Sequence, residues 1–100
     1  MPAFMIVTAQ IADREAFIAG YGKRAAELVT RFGGRYLVRA PGAQVLEGAS
    51  RDGASVVISE WPDRDAALRF WNSPEYAEAK KLREGIAECE VIVVEAPALS

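Results

Sequence analysis

Apolar residues follow two rhythms along this chain. Residues 3–11, Ala-Phe-Met-Ile-Val-Thr-Ala-Gln-Ile, are short, apolar and without a helical stripe, which predicts a strand. Asp13 then offers an N-cap, and Phe17, Tyr21, Ala25, Leu28 and Phe32 recur at intervals of three and four, one face of a long helix. Gly20 and Gly22 weaken that helix by up to about 1 kcal/mol each relative to alanine. Gly33-Gly34 ends it, because glycine enters a left-handed cap cheaply. Residues 35–40 predict a second strand, broken by Pro41-Gly42 and resumed in extended form over Ala43–Gly48. Ser50-Arg51-Asp52-Gly53 signals a turn, and residues 54–61 return as a third strand, closing a hairpin. Asp63 caps a short helix carrying Ala66, Ala67, Phe70 and Trp71. Ser73-Pro74 restarts it with a serine cap and a proline at the first helical position, and the helix runs to about Glu84–Glu88. Residues 89–96 supply the fourth strand.

The order β-α-β-β-α-β is the ferredoxin-like split unit, an α+β fold in which a four-stranded antiparallel sheet carries its helices on one face. A sheet with one wet face should alternate apolar and polar residues. Here Met5, Val7 and Ile11 oppose Phe4 and Ile6, and Val91 and Val93 oppose Ile92 and Val94. Both faces are apolar, yet the helices of one chain cover only one. A second copy of the sheet is the simplest cover, so a homodimer packed face to face is expected.

Composition narrows the function classes. One hundred residues make a single domain, 1–100, with no room for a second core. Twelve basic against fourteen acidic residues give a net charge of −2, which provides no cationic field for nucleic acid. The lone Cys89 forms no internal disulfide and suits a reducing compartment. The opening residues lack a basic, signal-like start, and no run approaches the roughly 20 apolar residues of a membrane span. A cytoplasmic location is expected, with neither nucleic acid nor membrane as partner. Without histidine, Ser-His-Asp and Cys-His catalysis and histidine-ligated haem are unavailable, and zinc loses its usual ligand. The acids are scattered rather than clustered, so neither a metal nor a cofactor is expected. Gly20-Tyr21-Gly22-Lys23-Arg24-Ala25 loosely matches a dinucleotide fingerprint, but two helical turns precede it where a strand is required.

Several stretches resemble a known family. They are Gly33-Gly34-Arg35-Tyr36-Leu37-Val38-Arg39, Val45-Leu46-Glu47-Gly48, Val56-Val57-Ile58-Ser59-Glu60-Trp61-Pro62, and above all Ala67-Leu68-Arg69-Phe70-Trp71-Asn72-Ser73-Pro74-Glu75-Tyr76 with Leu82-Arg83. In this order, over nearly the whole chain, they resemble domain of unknown function 1330, within the dimeric α+β barrel superfamily. Ala40-Pro41 departs from that pattern, where the family often carries glycines. The resemblance implies the βαββαβ fold and the dimer. It leaves the chemistry open, since the wider superfamily includes monooxygenases, haem-handling enzymes, muconolactone isomerases and dehalogenases.

Candidate site residues follow from burial and charge. Glu60 ends an apolar strand, sharing a face with Val56 and Ile58. If buried, it needs a partner or a raised pKa suited to acid–base work. Arg39 is the candidate partner and an anchor for an anion or carbonyl. By simple alternation it shares a face with Leu37. A structural ion pair or a strand end in water is the simpler reading of both residues. Tyr36, Trp61, Trp71 and Tyr76 are candidate walls of a pocket, although core packing accounts for aromatics at these spacings too. Arg83 reads as a helix-surface charge, and Glu78/Lys81 and Lys80/Glu84 are spaced to pair. Two functions fit. One is a binding domain for a small hydrophobic or carboxylated molecule held between sheet and helices, extending to a cofactor-independent enzyme. The other is a structural or interaction module with no cavity.

Overall fold

The structure is a computed structural model that describes residues 1–49 and 52–97. Strand β1 (Ala3–Ile11) leads into α1 (Arg14–Phe17), a π-helical turn (Ile18–Gly22) and α2 (Lys23–Arg31). Strands β2 (Arg35–Ala40) and β3 (Ser55–Trp61) follow, then α3 (Arg64–Trp71), α4 (Pro74–Lys81) and β4 (Ala87–Glu95). The sheet order is β2-β3-β1-β4 with every neighbouring pair antiparallel. This is the ferredoxin-like arrangement expected from the pattern, with all helices on one face. The domain measures 36 × 35 × 17 Å, a two-layer slab with one bare sheet surface.

The helix caps form as the sequence requires. Asp13 accepts the Ala16 N–H at 3.0 Å and Asp63 the Ala66 N–H at 2.8 Å. Ser73 accepts the Tyr76 N–H at 3.1 Å while donating to the Phe70 carbonyl at 2.8 Å, which joins α3 to α4. Each cap is worth about 1 kcal/mol. The two glycines after α2 answer to different constraints. Gly33 sits at φ +92°, the left-handed cap. Gly34 lies flat on the Trp61 indole, where a β-carbon would come within 2.8 Å of the ring.

Four boundaries differ from the pattern. The long helix is not uniformly α-helical: it widens to π geometry over Ile18–Gly22, at the two glycines. Residues 43–48 form no strand. Ala43 exchanges hydrogen bonds with Gly53 and Ala54, but the Asp52 carboxylate takes the Val45 N–H at 2.7 Å, and Gly42 and Gly48 turn to positive φ. Ser50 and Arg51, half of the expected turn, lie outside the described residues. The last helix stops at Lys81 and unwinds through a run of turns, and β4 begins at Ala87, two residues early.

The core lies between the sheet and α2, α3 and α4. Trp61, Tyr76 and Leu28 are fully buried, and Phe70 packs between Trp61 at 4.9 Å and Tyr76 at 4.5 Å between ring centroids. Burying each such side chain contributes about 1.5–3 kcal/mol. The Trp61 indole N–H, buried with the ring, donates to Ser59 Oγ at 2.9 Å. This aromatic cluster gathers at the end of the sheet marked by Ala3 and Trp61. The opposite end, toward Ala9 and Ser55, is packed less tightly.

Candidate functional site

At that looser end a cavity of about 590 Å³ opens between the sheet and the first helical segment. Its floor is the helix-facing side of the sheet, where Met5, Val7 and Val57 are apolar and Ser55 and Ser59 are small. Phe17, Ile18, Ala19 and Tyr21 from α1 and the π turn, with Ala25, Ala26 and Val29 from α2, form the roof. The π geometry therefore falls over the cavity, as π turns often do at functional sites. Phe70 and Tyr76 close the inner end. The volume is in the range of small-molecule sites.

The polar groups are few and specific. The hydroxyls of Tyr21 and Tyr76 share a hydrogen bond at 2.7 Å, with the rings edge-on at 6.3 Å. Burial, together with the neighbouring Tyr76, raises the Tyr21 pKa far above its ordinary value, so this hydroxyl stays protonated and can donate. Burial likewise raises Tyr36. Arg83, read from sequence as a surface charge, instead leans over the Tyr21 ring at 5.3 Å with its Nε buried. Cys89 lines the cavity from β4, and burial pushes its thiol upward against the opposing pull of Arg83. Burial thus favours the protonated thiol over the reactive thiolate.

The charged lining is one-sided. Arg14, Lys23 and Arg39 contribute to the cavity wall, and among the described residues no Asp or Glu does. Arg14 donates to Ser55 Oγ at 3.3 Å. Arg39 lies over the Tyr36 ring at 4.7 Å.

The candidate residues separate into two groups. Arg39, Tyr36 and Tyr76 line the cavity; Glu60, Trp61 and Trp71 do not. Trp61 is a core residue, and Trp71 lies on the helical surface under Lys80, whose Nζ is 4.4 Å from its ring. Lys80 thus stacks on an aromatic rather than pairing with Glu84, whereas Lys81 and Glu78 do pair at 3.1 Å. The expected Arg39–Glu60 pair does not form. Glu60 stands on the bare face and binds Arg35, whose Nε donates at 2.8 Å. Register is the reason: Arg35 stands directly opposite Glu60, whereas Arg39 lies four residues further along β2, opposite Val57. A β-bulge lies between them, where Tyr36 pairs with Ser59 and Val38 with Ile58, leaving Leu37 as an extra residue. Alternation breaks there, and Arg39 moves to the helix side with Tyr36. Sequence reasoning also passed over Arg14, Lys23 and Tyr21 as site residues. Tyr21 alone carried a signal, a hydroxyl within an otherwise apolar helix stripe.

Among the described residues no group of three metal-ligating side chains occurs, and no helix is long and apolar enough to cross a membrane. A two-layer antiparallel sheet with a cavity under its helices defines a ferredoxin-like α+β domain. The chain belongs to the family described as domain of unknown function (DUF1330), which matches residues 2–97. No curated protein matches its sequence. Among solved structures it is similar to a protein of unknown function from Rhodopseudomonas palustris, at 23% identity and a TM-score of 0.77 over 98% of this chain and 84% of that one. It is also similar to SnoaB, a cofactor-independent oxygenase from Streptomyces nogalater, at 17% identity and 0.68 over 98% and 95%. A dimeric ferredoxin-like protein of unknown function from Jannaschia sp. CCS1 aligns at 12% identity and 0.69 over 96% and 100%. At these identities the likeness is one of fold.

Proposed function

We propose that this protein binds a small, mostly apolar organic molecule in the cavity beneath α1 and α2, one in each protomer of a homodimer. The observation that carries the reading is the cavity itself, about 590 Å³ of largely apolar wall with a half-buried tyrosine hydroxyl pair at its inner end. A pure interaction module would pack the same aromatics without leaving that space. The dimer draws support from an apolar row across the bare face, Val38, Ile58, Ile6 and Ile92 in register on all four strands, and from the dimeric neighbour.

Within this reading Arg39, Tyr36, Tyr21 and Tyr76 meet the ligand. Among the described residues the lining offers hydrogen-bond donors and cations but neither carboxylate nor imidazole. Such a site stabilises negative charge developing on a ligand oxygen, and chemistry in it would run on the ligand's own acidity. SnoaB, of the same fold, works without a cofactor, which is compatible with such a site. Glu60, on the other face and bound to Arg35, plays no part in it.

Native mass spectrometry of gently purified protein tests the proposal. A dimer carrying a reproducible additional mass is expected, lost in Ala26→Trp, which fills the cavity from α2. A ligand mass that persists in that variant would place binding elsewhere.

A further inference from the structure

We infer that the molecule taken by this cavity carries a carboxylate, held at the rim by Arg39 with Arg14 and Lys23 beside it, and that its apolar body lies inward. The inference rests on the binding reading above and adds the chemical class of the ligand. Three observations lead to it.

The first is the sign of the lining. The chain has 12 basic and 14 acidic residues, yet among the described residues the cavity wall draws three of the former and none of the latter. A cleft lined by one sign of charge with low-dielectric walls focuses its field on a ligand of the opposite sign. The positive potential therefore belongs to the cavity, not to the protein as a whole.

The second is how Arg39 comes to be there. Unbroken alternation from Tyr36 would place it on the bare face of the sheet. The extra residue Leu37 reverses that parity and sets Arg39 opposite Val57, on the helix-facing side of the sheet at the rim of the cavity. Bulges that re-aim one side chain are concentrated beside active and binding sites. Here the re-aimed side chain is a guanidinium.

The third is what Arg39 does not touch. Among the described residues neither Arg39 nor Lys23 has a carboxylate partner, in contrast to Arg24, Arg35, Arg64 and Lys81, each of which has one. The Arg39 guanidinium lies over the Tyr36 ring instead, 4.7 Å from its centroid, a cation–π contact that leaves its N–H donors for an acceptor. A carboxylate takes two parallel N–H bonds from a guanidinium, a geometry an amide or alcohol cannot reproduce with equal strength. At the inner end the Tyr21–Tyr76 hydroxyl pair suits a second, neutral oxygen on the same molecule.

Binding of matched probe sets by isothermal titration calorimetry tests this. One set is 1-naphthoate, 1-naphthamide and 1-naphthylmethylamine; the other is decanoate, decanol and decylamine. The two differ in shape but share the comparison of charge. The expected result is that the carboxylate binds at least tenfold more tightly than its neutral analogue and the amine most weakly. Arg39→Gln should weaken the carboxylates at least tenfold and bring them level with the neutral analogue, with an unchanged far-UV circular dichroism spectrum showing that the variant has folded. Arg35→Gln, a cation on the same strand facing the other way, should change neither. Neutral analogues binding as well as the acids would overturn the carboxylate assignment and leave the cavity-binding proposal standing. Failure of both sets to bind at millimolar concentration would remove both.

Discussion

The helix-covered and the bare face of the sheet are made by the same four strands, and both are apolar, yet they are built differently. On the covered face bulky and small residues are mixed: Trp61 and Met5 stand beside Ala3, Ala9, Ser55 and Ser59, and the small ones admit helices at one end and leave space at the other. On the bare face a row of β-branched residues, Val38, Ile58, Ile6 and Ile92, runs level across the sheet, with Ile92 47% and Val38 38% exposed. Flush β-branched surfaces pack well against another sheet, as in face-to-face sandwiches. The contrast teaches that apolarity alone does not say what covers a face; the distribution of side-chain sizes does.

The largest expected effect breaks the bare face. Ile6→Asp, at the centre of the apolar row, should convert a dimer to a monomer with its far-UV circular dichroism intact, because an unpaired charge would be desolvated in the interface at a cost of several kcal/mol. Sedimentation velocity reads this, and an undisturbed dimer would reassign the interface. The covered face is tested next by Gly34→Ala. Its new β-carbon meets the buried Trp61 ring at 2.8 Å, and overpacking of this kind costs about 1–3 kcal/mol, visible as a lower urea midpoint.

A smaller effect sharpens the cavity end of that face. Tyr21→Phe removes the 2.7 Å hydroxyl bond to Tyr76 and should lower stability by about 0.5–1.5 kcal/mol at pH 7. The same substitution has a pH signature. Tyr21 is neutral in the folded protein well beyond its ordinary value of 10.0, whereas the unfolded chain releases that proton near 10. The unfolded state then binds fewer protons, so the contribution is fully present below pH 10 and is lost as pH rises above it. Denaturation midpoints should fall above pH 10 in the parent protein and fall less steeply in Tyr21→Phe. The smallest effect concerns the ion pair on the bare face. Arg35 is 73% exposed, so Glu60→Gln should cost no more than about 1 kcal/mol and leave the affinity for the cavity ligand unchanged. A large loss of binding would bring Glu60 back into the site.

Most of the architecture was legible because it depends on local chemistry. Asp13, Asp63 and Ser73 cap the helices they precede, since a short acceptor beside free N–H groups acts over three residues. The two-faced strands and their order followed from period-two patterning. The site was legible only in part. Tyr36, Tyr76 and Arg39 were named as candidates and line the cavity, while Trp61 and Trp71 share their composition but occupy core and surface. Aromatic wall and aromatic core are the same residues until packing separates them.

What the sequence determined by itself is therefore the set of elements, their caps and the excess of apolar surface, all properties of neighbours along the chain. Tertiary structure decided where the parity of β2 changes. One unpaired residue, Leu37, depends on how β2 meets β3 and leaves no trace in the local pattern, yet it sends Arg39 to the cavity. It also decided that the helix opens into a π turn above the cavity and that Tyr21 meets Tyr76 across 55 residues of chain. Such contacts arise when distant segments are brought together, and their energies do not exist until the sheet has formed.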